Sequence, residues 1–127
     1  MRRVVITGLG VVSPIGNSSL EVLHSLKNGI SGIGFSEEMS ERGFRSQVSG
    51  NLKIDVSERI DKRISRFMGP GAAYAYIAMT QAIEDAGLGS KDVVNYRTGL
   101  IAGSGGPSTS AILAAHQTVL ELSLIHI

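Results

Sequence analysis

A chain of 127 residues fits one ordinary domain or a piece of a larger one. Its 12 Lys+Arg against 11 Asp+Glu leave a formal net charge of +1, so no general electrostatic case exists for nucleic acid or an anionic membrane as partner. The 43% apolar and 18% charged fractions exclude a disordered chain, and the lack of cysteine excludes disulfides, thiolate metal sites and a cysteine nucleophile within these residues.

Met1-Arg2-Arg3 and the apolar run to Ile15 imitate a secretory signal, but Gly8, Gly10 and Pro14 break the helical core a signal needs. No run of about 18 apolar residues exists for a spanning helix, so a cytoplasmic soluble protein is expected. Val4-Val5-Ile6 reads as a buried strand closed by Thr7-Gly8. An irregular loop follows to Asn17. Ser18 and Glu21 have capping-box spacing, and Leu20, Leu23 and Leu26 predict a helix ending before Gly29.

Residues 30–54 keep no period and read as loops around one or two short strands. Asp55 and Glu58 repeat the capping spacing and predict a polar helix to about Met68. Pro70 suits the first turn of the next helix, Ala72 to Ala86, which Gly87 ends. Ala75, Ala78, Ala82 and Ala86 leave one side of it small enough for another backbone to approach. Thr98 to Ala102 is a second predicted strand, followed by a glycine-rich turn and a helix from about Ser108 to Leu122. Strands alternating with helices predict an α/β architecture with a parallel sheet. Two strands are too few to complete one, so the chain is expected to be an incomplete unit, residues 1–123. Leu122 to Ile127 is an apolar run that resembles translated adapter sequence, so Leu124 to Ile127 is set aside as a non-native tail, with a natural buried strand as the competing reading.

The glycine turns offer the first candidate sites. Gly8-Leu9-Gly10-Val11-Val12-Ser13 nearly matches the G-x-G-x-x-G/A of a dinucleotide-binding turn, which would make the chain part of an oxidoreductase. Pro14 stands where that helix should be running, and a purely structural turn is the competing reading. Ala102-Gly103-Ser104-Gly105-Gly106 has the outline of a nucleophile elbow, but an acid and a His to complete a triad are not convincingly available after Ser104. His24, His116 and His126 are scattered, so no metal or cofactor is expected.

Arg59, Lys62, Arg63 and Arg66 fall at i, i+3, i+4 and i+7 of the predicted polar helix, gathering four cations on one face. Two readings stay open. One is a solvated face with Glu58 paired to Lys62. The other is a docking patch for an acidic protein.

Together these pieces resemble the β-ketoacyl-acyl-carrier-protein synthases. The similarity is carried by Arg3 to Asn17 (RVVITGLGVVSPIGN), Arg66-Phe67-Met68, Gln81 to Leu88 (QAIEDAGL) and Arg97 to Gly106 (RTGLIAGSGG), in the family's order and spacing. Ser31-Gly32-Ile33 and Phe44-Arg45-Ser46 resemble synthase I of that family, and the similarity fades beyond Ser110. The resemblance implies a thiolase-like fold of two similar α/β halves, of which this chain would be an incomplete N-terminal half. It implies an acyltransferase, usually a homodimer, that joins an acyl chain to malonyl-carrier protein by decarboxylative Claisen condensation in fatty acid biosynthesis. A Cys at a helix N-terminus would carry the acyl thioester, and two His residues would assist. All three lie downstream of the matched region, so no catalytic residue is assigned here and the chain alone should be inert. A non-catalytic carrier-protein-binding homologue is the rival within the family. The resemblance further implies that Lys62, Arg63 and Arg66 receive acyl carrier protein, and that Gly106 makes room in the acyl pocket and dimer-interface region.

Overall fold

The computed structural model describes residues 3–122. Leu124 to Ile127, set aside above, lie outside the described residues, as do Met1 and Arg2. The elements in chain order are α1 (Ser19–Lys27), β1 (Gly34–Phe35), α2 (Glu37–Glu41), β2 (Val48–Ser49), a 3₁₀ turn (Val56–Glu58), α3 (Lys62–Ser65), α4 (Pro70–Asp85), α5 (Ser90–Val93) and α6 (Thr109–Leu122).

The helix ends follow their capping chemistry. The Ser18 hydroxyl accepts from the Glu21 amide, and Glu21 answers by accepting from the Asn17 amide. Pro70 occupies the first turn of α4, where its missing N–H costs nothing. Gly29 and Gly87 follow α1 and α4 with φ of 62° and 65°, the left-handed geometry that lets a chain leave a helix.

The predicted polar helix to Met68 does not form as one piece. Asp55 caps the 3₁₀ turn through Ser57, and Asp61 then restarts the chain by accepting from the Arg63 amide at 2.8 Å. Each short carboxylate offers nearby amides a closer acceptor than a continuous ladder would. Ile60, between them, turns inward and is buried. It joins Ala73 and Ile77 of α4 in a small core, flanked by Val12, Ile54, Val56 and Met68.

The predicted parallel sheet is also absent among the described residues. The sheet that is present pairs β1 with β2 antiparallel, Gly34 opposite Ser49 and Phe35 opposite Val48. Val4 to Ile6 and Thr98 to Ala102 lie outside any ladder. Val4, Ile6 and Ile101 are 95%, 91% and 99% exposed. A strand exists only by hydrogen bonding to a neighbour, and among the described residues neither segment has one.

The small side of α4 does what its alanines suggest. The Gly8–Gly10 backbone lies against it so closely that a Cβ at Gly10 would overlap the Ala78 carbonyl oxygen and stand 2.9 Å from the Ala82 nitrogen. At Gly8 it would overlap the Ala82 carbonyl oxygen and reach the Ala86 Cβ at 2.8 Å. No helix of the described residues is long and apolar enough to cross a membrane.

Candidate functional site

Three places were candidates by sequence, and they differ sharply in structure. The Gly8 turn is already occupied by the protein itself. The Leu9 amide donates to Asp85 Oδ2 at 2.9 Å and the Val11 amide to Gln81 Oε1 at 3.0 Å. Gln81 Nε2 donates in turn to the Asn17 carbonyl at 2.7 Å. A pyrophosphate would need those amides free and a helix N-terminus facing them. Here they face the flank of α4, and α1 starts only at Ser19. The dinucleotide reading is therefore replaced by a clamp between loop and helix. Gln81 and Asp85 lie within the QAIEDAGL segment and carry no site role by sequence; the signal that marks them is their i, i+4 spacing on the alanine-lined side of α4.

The 102–106 turn does not build a nucleophile. Ser104 Oγ donates to the Gly106 carbonyl oxygen at 2.7 Å, so its proton is used within the turn. Gly106 is exposed, and a Cβ there would meet nothing within 4 Å. It lines an open cleft of about 860 Å³ between the 102–110 segment and the start of α4. Among the described residues, no group of three or more His, Asp or Glu could hold a metal ion.

The basic candidates keep three of their four members together. The break at Asp61 leaves Arg59 at the end of the 3₁₀ turn, while Lys62 and Arg63 open α3 and Arg66 caps its C-terminus. All are exposed. The Glu58–Lys62 pair expected of a solvated face is not formed, and among the described residues no acid lies in ion-pair range of Lys62, Arg63 or Arg66. The Arg66 guanidinium instead stacks on Phe67, its Cζ 4.4 Å from the ring centroid. None of the three lines the Gly106 cleft, so the structure does not gather docking and acyl-pocket candidates into one site.

Among titratable groups, Asp55 stands out. The Ser57 hydroxyl, and then the Ser57 amide, donate to its carboxylate and hold its pKa below the ordinary value. This is capping chemistry rather than catalysis.

Comparison with known proteins matches residues 1–124 to the family model described as beta-ketoacyl synthase, N-terminal domain. The 3-oxoacyl-[acyl-carrier-protein] synthase 1 of Buchnera aphidicola subsp. Schizaphis graminum is 58% identical over 108 residues, which are 84% of this chain and 26% of that protein. The proteins of the same name from Haemophilus influenzae and Escherichia coli K12 are 52% and 54% identical, over 94% and 85% of this chain. The chain covers 29% and 27% of them, so it spans roughly a quarter of the length of the curated relatives it matches. With nearly its whole length inside the family model, the chain belongs to the β-ketoacyl synthase family, whose N-terminal domain implies a thiolase-like fold.

Proposed function

We propose that the protein works as a 3-oxoacyl-carrier-protein synthase of the synthase I type in fatty acid biosynthesis. In this reading an enzyme-bound acyl thioester is attacked by the carbanion equivalent formed when malonyl-carrier protein loses CO2. A carbon–carbon bond forms and the enzyme sulfur leaves. The observation that supports it is the 52–58% identity to proteins of that name across 84–94% of the chain. The 127 residues contain no cysteine, so the nucleophile of the reaction is not among them.

The contribution assigned to this chain is reception of the carrier protein by Lys62, Arg63 and Arg66. Three exposed cations that, among the described residues, form no ion pair suit an acidic partner, because local charge steers encounter even where net charge is near zero. Gly106 is assigned to the acyl pocket and dimer-interface region on the family resemblance carried by Arg97 to Gly106, and it lines the open cleft beside the start of α4. Homodimerisation, a cytoplasmic location and completion of the thiolase-like fold by a second α/β half belong to the same proposal. The segments Val4–Ile6 and Thr98–Ala102, exposed and outside any ladder among the described residues, suit such a completion. No cofactor enters it.

The test is a condensation assay with acyl- and malonyl-carrier protein, reading the 3-oxoacyl product by mass. The product of the complete reading frame should turn over, and the 127-residue chain alone should give nothing above a no-protein control. Absence of product from the complete protein, with substrates that a reference synthase accepts, would overturn the proposal. Carrier-protein binding without turnover would put the non-catalytic homologue in its place.

A further inference from the structure

We infer that Phe67 is a positioning residue for carrier-protein docking, its ring holding the Arg66 guanidinium ready for an acidic partner. The inference rests on the docking role proposed above for α3, and it adds a residue that carries no charge.

Arg66 Cζ lies 4.4 Å from the Phe67 ring centroid, inside the range where a cation is attracted to an aromatic face. The ring itself is 78% exposed, so among the described residues it is not part of the core. The backbone carrying the pair is fixed. Arg66 ends α3 with helical dihedrals, the Phe67 amide donates to the Ile64 carbonyl at 3.1 Å, and the Met68 amide donates to the Ser65 carbonyl at 2.9 Å. Met68 then packs against the buried cluster and anchors the turn from the other side.

An unrestrained arginine loses rotamer freedom when it docks, and that loss subtracts from affinity. A guanidinium stacked on a ring has surrendered part of that freedom beforehand, while its edge still presents N–H donors to a carboxylate. Among the described residues Arg66 is the one cation so placed, and Lys62 and Arg63 have no aromatic face beneath them. The device therefore acts through Arg66.

The experiment is a double-mutant cycle on the protein at its full encoded length. Binding of fluorescently labelled holo-acyl carrier protein is followed by anisotropy at low ionic strength. Phe67→Leu should weaken binding roughly three- to fivefold, which is about 0.7–1 kcal/mol at 1.4 kcal/mol per tenfold change. Phe67→Tyr, which keeps the aromatic face, should bind like the parent. With Arg66→Gln present, Phe67→Leu should change nothing further.

An equal loss from Phe67→Leu with and without Arg66→Gln would overturn the inference, and so would a Phe67→Tyr protein as weak as Phe67→Leu. If Arg66→Gln weakens binding but Phe67→Leu does not, Phe67 has no positioning role and the docking face stands. If neither Arg66→Gln nor Lys62→Glu affects binding, the docking role and this inference fall together.

Discussion

Substituting Gly10 by alanine tests the close approach of loop and helix directly. The new Cβ would overlap the Ala78 carbonyl oxygen and stand 2.8 Å from the Ala78 carbonyl carbon and 2.9 Å from the Ala82 nitrogen. All three are backbone atoms of a 16-residue helix, so no side chain can rotate out of the way. The loop must lift instead. Overpacking of this kind costs about 1–3 kcal/mol. Lifting also stretches the Leu9–Asp85 and Val11–Gln81 hydrogen bonds, each worth about 1 kcal/mol net. The sum is about 3–5 kcal/mol, a large share of the roughly 5–15 kcal/mol that holds an ordinary domain together. In urea unfolding followed by far-UV circular dichroism, the midpoint should fall by roughly 2–3 M at a slope near 1.5 kcal/mol per M. Gly71→Ala is the matched control. It sits in the first turn of α4 with nothing within 4 Å of the added carbon, and should gain about 0.5–1 kcal/mol from helix propensity. A Gly10→Ala protein within about 0.5 kcal/mol of the parent, the ordinary scatter of surface changes, would refute the close-packing argument.

Reversing two docking charges, Lys62→Glu with Arg66→Glu, should weaken carrier-protein binding roughly tenfold or more at low salt, and the deficit should shrink as ionic strength rises. Normal binding by this variant at low salt would return α3 to a merely solvated face. Calorimetric titration with NAD or NADP should show no saturable binding, since the Leu9 and Val11 amides are already bonded to Asp85 and Gln81; micromolar affinity would contradict the clamp. Asp55 should titrate below an ordinary aspartate when followed by carbon-detected NMR. Its folded-state pKa is depressed, so the stabilisation it gives the 3₁₀ turn is present above the unfolded-state pKa and is lost as pH falls through the lower folded value. A titration at or above the usual aspartate range would remove the capping role.

Local chemistry was readable from the sequence wherever one residue decides the outcome. Ser18, Pro70, Gly29 and Gly87 mark their helix ends because capping depends on a few neighbouring atoms. The alanine side of α4 was also readable, since small residues at helical spacing permit only close approach. The Asp55–Met68 segment was misread because capping spacing says where a helix starts and not where a second cap interrupts it. Asp61 wins there by taking the Arg63 amide. The two predicted strands show a different limit. Apolar β-branched composition marks Val4–Ile6 as strand material, but pairing requires a neighbour that composition cannot supply. For the candidate site, the cations were legible from their spacing, whereas the aromatic partner of Arg66 was not. Arg–Phe adjacency in sequence says nothing of stacking until the turn after α3 sets both side chains.

The clamp between the Gly8–Asn17 loop and α4 also has a kinetic meaning. Its three hydrogen bonds join residues 64 to 76 positions apart, so forming the first of them closes a loop of about 70 residues. Closure on that scale costs about 4 kcal/mol in chain entropy, more than three bonds of about 1 kcal/mol each return. The deficit is met only if Ile60, Ala73 and Ile77 have already come together and Val12 can join them. This arithmetic predicts that the loop locks on late, after the 54–80 region has assembled around α4. Removing the clamp with Gln81→Ala should speed unfolding while leaving refolding nearly unchanged, the pattern of a contact absent from the transition state. Refolding slowed in proportion to the lost stability would instead put the loop in the folding nucleus.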